Sequence, residues 1–188
     1  MIVDGAVAAA RHEVVGRGHA ERLVPMIAEL LDEGRAARIL VDCGPGSFTG
    51  IRVGLAAAIG LGIGWRAEVR GFSSLALVAA AGFAAHPGLG ELAVVLEGGH
   101  GEVFMQSFAH PLAEIDALAS LRPEAALARL AGRPAVGNGV RHLAALDPSL
   151  DLTETLPDAA QAILLPPTFA ALPPRPIYGR APDAVAKP

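Results

Sequence analysis

The stretch GPGSFTGIRVGLAAAIGLG, Gly44 to Gly62, constrains this chain more than any other. It follows a short apolar run, Ala37 to Cys43, that reads as a buried strand. Gly44-Pro45-Gly46 forces a tight turn off that strand. Phe48 follows Ser47, and either Ser47 or Thr49 has the chemistry to cap a helix running to about Gly64. The stretch has the outline of a phosphate-binding loop without its working parts. Such a loop needs two glycines five apart, followed by Lys and Ser/Thr. Here Gly44 and Gly50 are six apart, Ile51 follows, and Arg52 is the nearest cation. A nucleophile elbow fails as well, because Ser47 sits directly after Gly46. The free N–H groups of the helix start retain only a weak capacity for an anion.

The helix is more informative than the loop. Gly50, Gly54, Ala58 and Gly62 recur every fourth residue and build a ridge without side chains. Each interior glycine costs about 1 kcal/mol relative to alanine, so such a ridge implies close approach of something else. The neighbour is either the protein's own sheet or another subunit. From His19 to Leu31, the sequence HAERLVPMIAELL places Leu23, Ile27 and Leu30 on one apolar stripe, which could share that surface. Pro25 should kink this helix or remove a hydrogen bond, and Gly34 should end it.

Around these segments the pattern is α/β. Asp4-Gly5 is a two-residue hairpin signal, and Ala6 to Val15 reads as a strand. Only Met1, Ile2 and Val3 precede that turn, fewer than the roughly five residues of an ordinary strand. AEVRGF, Ala67 to Phe72, is a further strand, and Ser73 or Ser74 caps the helix after it. His86-Pro87-Gly88 marks a boundary between lobes. Beyond it, ELAVVLE and GEVFMQSF form a hairpin across Gly98-Gly99. Arg122 to Gly132 reads as a helix, Pro134 to Val140 as a strand and turn, and two short helices fall near residues 141–146 and 158–164. Prolines from Pro166 onward, Pro182 and Pro188 included, call for an extended tail. Lobes over residues 1–86 and 87–165 and a tail over 166–188 follow.

Composition narrows the function. A net charge of −4 without a basic run disfavours autonomous nucleic-acid binding. A single cysteine, Cys43, rules out a disulfide framework and fits a reducing compartment. No signal-peptide pattern opens the chain, and the apolar run from Val53 to Trp65 is too short to span a bilayer, so the expectation is a cytoplasmic protein. Cys43 could be a nucleophile at a helix N-terminus, but reads better as a small buried apolar residue. His12, His19, His86, His100, His110 and His142 share no metal spacing, so no metal is expected. Glu97 and Glu102 flank a turn where carboxylates are normally solvated. Arg52 could face a partner's carboxylate, pair with Asp42, or stand alone.

With those residues in view, CGPGSFTGIRVGLAAAIGLG resembles the signature loop and helix of the TsaB (YeaZ) family. HAERLVPMIAELL is similar to that family's first helix, GFSSLALVA to its next strand and helix start, and PIYGR to its C-terminal motif. The resemblance implies an actin/Hsp70-like fold of two α/β lobes with mixed sheets. It implies a dimerisation subunit supporting a TsaD-like transferase that places threonylcarbamoyl on the adenosine beside the anticodon of tRNA. It further implies a TsaE-like ATPase partner, possible self-association in isolation, and tRNA contact only through the complex. The expected partner surface is His19, Leu23, Ile27, Leu30, Gly50, Arg52, Gly54 and Ala58. The signature loop is Gly44, Pro45, Gly46, Ser47, Phe48 and Thr49. No catalytic residue and no cofactor of its own are expected, with ATP acting at the level of the complex.

Two departures accompany the resemblance. The family opens with a strand carrying an Asp-Thr pair, which this sequence lacks; the expectation is a start assigned too far downstream, with roughly 15–20 further residues upstream by strand-plus-turn length. The turn Glu97 to His100 replaces an Asp-Ala-Arg-like one. The rival reading is a small-molecule phosphotransferase on the same fold, and a peptidase-associated protein stands behind that.

Overall fold

The computed structural model describes residues 1–15 and 18–180. Ile2–Val3 (β1) and Ala6–Val7 (β2) form the hairpin that Asp4-Gly5 requires, with both turn residues left-handed (φ 49° and 75°). The second strand stops at Val7 rather than reaching Val15. The Ala8 and Ala9 amides turn back onto the Met1 carbonyl, and the Arg11–Glu29 and Glu13–Arg22 ion pairs hold the following residues beside the first helix.

That helix, α1 (His19–Ala28), continues through Pro25 and ends sooner than the periodicity suggests. A 3₁₀ turn, Leu31–Gly34, replaces its last turn, with Asp32 and Glu33 left-handed. Gly34 does help close this region: a Cβ there would sit 2.6 Å from the Ile27 side chain, so only glycine lets the turn fold back on the helix.

Arg38–Asp42 (β3), Phe48–Trp65 (α2) and Glu68–Phe72 (β4) make one strand–helix–strand crossover. The strands pair in parallel from Arg38 opposite Glu68 to Asp42 opposite Phe72. The apolar run of β3 is less covered than its composition suggests, and only Val41 is buried. The sheet has two strands, and its small core is Val41, Cys43, Leu55 and Ala58.

Ser74–Ala85 (α3) follows β4 but packs on the second sheet. That sheet runs Leu152–Thr153 (β10), Ala135–Val136 (β9), Glu91–Gly99 (β5), Glu102–Ala109 (β6) and Ala113–Glu114 (β7), with Ala119–Leu121 (β8) also on β6. It is mixed: β9 is parallel to β5 and β10, and β5, β6, β7 and β8 are antiparallel. The alternation of β5 and β6 sorts the core. Leu92, Val94, Leu96, Phe104 and Phe108 face α3, whereas Ala93, Val95, Val103 and Met105 face Pro123–Leu130 (α4) and Val140–Ala144 (α5).

The β5–β6 turn lies at His100-Gly101, not Gly98-Gly99. A register shift between Glu97 and Gly99 absorbs Gly98 as a bulge, and Gly99, His100 and Gly101 are all left-handed. The helix expected near 158–164 is a 3₁₀ segment, Ala159–Leu164, capped by Asp158. Beyond Pro166 the chain makes a short turn and then runs back to the first sheet, where Leu172 bridges Gly71 on β4. Pro182 and Pro188 lie outside the described residues.

Candidate docking face and interlobe cleft

Ser47 caps α2, its hydroxyl accepting the Gly50 amide at 3.3 Å. The Gly44–Pro45 peptide is cis, and Gly44 is left-handed (φ 94°). Of the eighteen residues of α2, Leu55, Ala58 and Gly62 are buried. The side-chain-free ridge is therefore divided. Ala58, expected at the partner surface, is buried in the core of its own lobe. Gly62 lies against Val69, whose Cγ2 a Cβ would overlap. Gly54 differs, since a Cβ there would meet nothing within 4 Å. Gly50 is half-buried beside the cap.

Much of the remaining surface of α2 is apolar and open. Phe48 is 62% exposed, Ile59 41% and Ile63 77%, with Ala56, Gly60 and Gly64 exposed between them. Leu23, Ile27 and Leu30 are half-buried, and α1 packs beside α2. Val24 and Leu31 extend the apolar exposure. The His19 side chain, also expected at this surface, lies outside the described residues. Because α2 starts at Phe48, it is longer than the run from Val53 and is long and apolar enough, by length and composition, to cross a membrane. Its inner face nevertheless seats on β3 and β4 as a domain helix does.

Between the lobes lies a cleft of about 1040 Å³. The signature loop, the β5–β6 turn and Pro176 to Arg180 line it. Asp42 sits at its floor. Its carboxylate accepts the Gly44 amide at 2.7 Å and the Ser74 hydroxyl at 2.7 and 2.8 Å. Burial pushes its pKa above the usual aspartate range, against the pull of those hydrogen bonds. Ser73 caps α3 and leaves Ser74 free for Asp42. Arg52 does not pair with Asp42. It donates to the Tyr178 hydroxyl at 3.0 Å, and its guanidinium carbon lies 3.6 Å from the centre of the Phe48 ring. Nor is Glu97 an isolated acid, for Arg141 reaches it at 2.6 Å and Asn138 receives its backbone amide.

Cys43 is fully buried, its thiol pointing at the Val41 and Pro173 carbonyls, and burial raises its pKa. It is a packing residue, not a thiolate nucleophile. Among the described residues no group of histidine, cysteine and carboxylate side chains could hold a metal, and no serine, threonine or cysteine hydrogen-bonds a histidine. Sequence reasoning singled out Arg52 but not its pairing with Tyr178. The PIYGR segment alone gave a signal for it.

Two α/β lobes with a mixed sheet, closed around a cleft whose floor is a strand end and glycine turn, define the actin-like class. The chain belongs to the TsaD family, on its TsaB (YeaZ) side: a family model described as TsaD, tRNA N6-adenosine threonylcarbamoyltransferase, matches residues 11–146. The tRNA threonylcarbamoyladenosine biosynthesis protein TsaB of Haemophilus influenzae is 40% identical over 80 residues, 40% of this chain and 34% of that protein. The Escherichia coli TsaB is 35% identical over 81 residues, 40% of this chain and 35% of that protein. The matched stretch thus spans about a third of those relatives. An uncharacterised Mycobacterium tuberculosis protein is 32% identical over 140 residues, 70% of this chain and 63% of that one. Among solved structures, a Pseudomonas aeruginosa protein described as similar to the peptidase YeaZ superposes with a TM-score of 0.73 at 25% identity, covering 89% of this chain and 87% of that one.

Proposed function

We propose that this chain is a non-catalytic scaffold subunit of the assembly that forms threonylcarbamoyladenosine beside the anticodon of tRNA in the cytoplasm. In this reading it docks a TsaD-like transferase through α1 and α2. A TsaE-like ATPase joins at the level of the complex, where ATP acts, and tRNA is met only there. The division into a docking lobe (1–86), a second lobe (87–165) and a tail belongs to the same reading. One observation carries it most: α2 presents Phe48, Ile59 and Ile63 to solvent on a face of small residues, an apolar patch of the kind that marks a protein interface. In isolation the same face is available for self-association.

The cleft volume favours a second reading, a phosphotransferase of the same fold. Against it, no lysine lines the cleft among the described residues, and Asp42 is occupied by Ser74 and Gly44. A peptidase reading would need an activated nucleophile, and Cys43 is sealed in the core. The deciding experiment is co-purification with the TsaD-like transferase of the same organism, alongside calorimetric titration of the isolated chain with ATP. The scaffold reading expects a stable complex and no micromolar ATP affinity. Tight ATP binding without complex formation overturns it.

A further inference from the structure

The nine residues Leu172 to Arg180 touch both lobes in succession. Leu172 exchanges two hydrogen bonds with Gly71, of 2.7 and 3.0 Å, at the edge of β4. Ile177 donates its amide to the Cys43 carbonyl at 2.8 Å, at the end of β3. Tyr178 accepts from Arg52 on the first turns of α2. Gly179 then passes so close to the Phe104 ring that a Cβ would overlap it, and Arg180 reaches Glu102 on β6 at 3.5 Å. Glu102 is held in turn by the Ser120 hydroxyl at 2.6 Å. The segment leaves the second lobe, ties down the first, and returns to the second across the cleft it lines.

We infer that this segment is a strap that sets the opening of the cleft, and that the Tyr178–Arg52 contact is its releasable end. Its other attachments are backbone hydrogen bonds to Gly71 and Cys43, a glycine wedged under a buried ring, and the less exposed Arg180–Glu102 ion pair, and together these resist local opening. The Tyr178 end differs. The ring is 60% exposed, and its hydroxyl hangs on a solvent-exposed guanidinium that can be recruited by a competing carboxylate. Arg52 lies on the same helix as the open apolar face, so a protein seated there reaches it. Binding at that face and opening of the cleft would then share one side chain, which gives coupling between the two a physical carrier. The partner-induced part rests on the docking reading above; the strap itself does not.

Hydrogen exchange followed by mass spectrometry on the full chain tests both parts. Tyr178→Phe removes only the hydroxyl. It should speed exchange in peptides covering 172–180 and 97–104 by roughly fivefold to tenfold, the population change expected from losing one exposed hydrogen bond of ordinary strength, with 91–96 and 123–130 unchanged. Gly179→Ala, which pushes on Phe104, should give the same pattern with the hydroxyl present. Unchanged exchange at 172–180 in both variants, or acceleration spread evenly over the chain, overturns the strap. With saturating TsaD-like transferase, the wild-type strap should exchange faster while α2 becomes protected. Protection of both overturns the release. Failure to form the complex counts against the docking reading alone, since the two variants still decide the strap.

Discussion

Arg52 and Tyr178, 126 residues apart in sequence, meet at 3.0 Å, with the guanidinium carbon 3.6 Å from the centre of the Phe48 ring. This contact joins the signature helix to the C-terminal motif, and so makes two separate stretches of sequence parts of one site. An exposed hydrogen bond with cation–π support contributes about 1 kcal/mol, enough to order a segment but not to lock it.

The open face of α2 gives the first prediction. Ile63→Glu and Ile59→Glu should reduce binding of the TsaD-like transferase, and any self-association, by at least about tenfold, because a charge would be buried in an apolar contact. Substitutions at exposed sites usually change stability by no more than about 0.5 kcal/mol. Size-exclusion chromatography with light scattering, together with thermal melts, checks both halves. Leu23→Glu and Ile27→Glu are less clean, since both residues are already half-buried beside α2. Full binding by the Ile63 and Ile59 variants would move the interface elsewhere.

Gly71 lies beside Cys43. A Cβ at residue 71 would overlap the Cys43 sulfur and sit 3.1 Å from the Pro173 carbonyl oxygen. Gly71→Ala should therefore destabilise the chain by about 1–3 kcal/mol through overpacking. Adding Cys43→Gly should recover part of that loss, and denaturant titrations of the four-member cycle measure the coupling. Independent, additive effects would show that the two positions do not press on each other.

Asp42 should give the chain an unusual pH response. Its carboxyl pKa is raised by burial, so the folded state holds the proton more tightly than the unfolded state. Its contribution to stability is therefore greatest below the ordinary aspartate range and falls as pH rises through the folded pKa. Glu13, Glu68, Glu102 and Asp147 are shifted downward by their hydrogen-bond partners and act in the opposite sense. The difference between wild type and Asp42→Asn isolates the one group: the variant should gain relative stability as pH rises. Asp42→Leu should instead cost about 1–3 kcal/mol, because the Gly44 amide and Ser74 hydroxyl lose their acceptor. Urea midpoints from pH 4 to 8 provide the readout.

Isolated chain should bind tRNA weakly at physiological salt. The net charge is −4, and the arginines most able to form a basic patch are each engaged: Arg129 with Asp116, Arg133 with Glu91, Arg141 with Glu97. Neutralised cations release few counterions from a phosphate backbone. A gel shift at submicromolar protein without the transferase would contradict this.

Local signals carried much of this protein. Gly44-Pro45-Gly46 and Ser47 specified the turn and the helix start, Asp4-Gly5 the hairpin, and Pro123 the first turn of α4, because each acts through the backbone of its immediate neighbours. The apolar stripes and the PIYGR and glycine segments were legible for the same reason and carried the family resemblance. What the sequence left open was which neighbour each face would meet. Gly50, Gly54, Ala58 and Gly62 look alike at four-residue spacing, yet Ala58 and Gly62 seat on the lobe's own sheet while Gly54 faces open space. Ala37 to Cys43 reads as buried, yet a two-stranded sheet covers it only in part. The prolines after Pro166 exclude helix but not a return across the molecule, and only the packed lobes bring Leu172 to Gly71 and Tyr178 to Arg52. Dihedral preferences are set within a few residues and so are written locally. Burial and long-range pairing are set by which surfaces the whole chain brings together, and those exist only once it has folded.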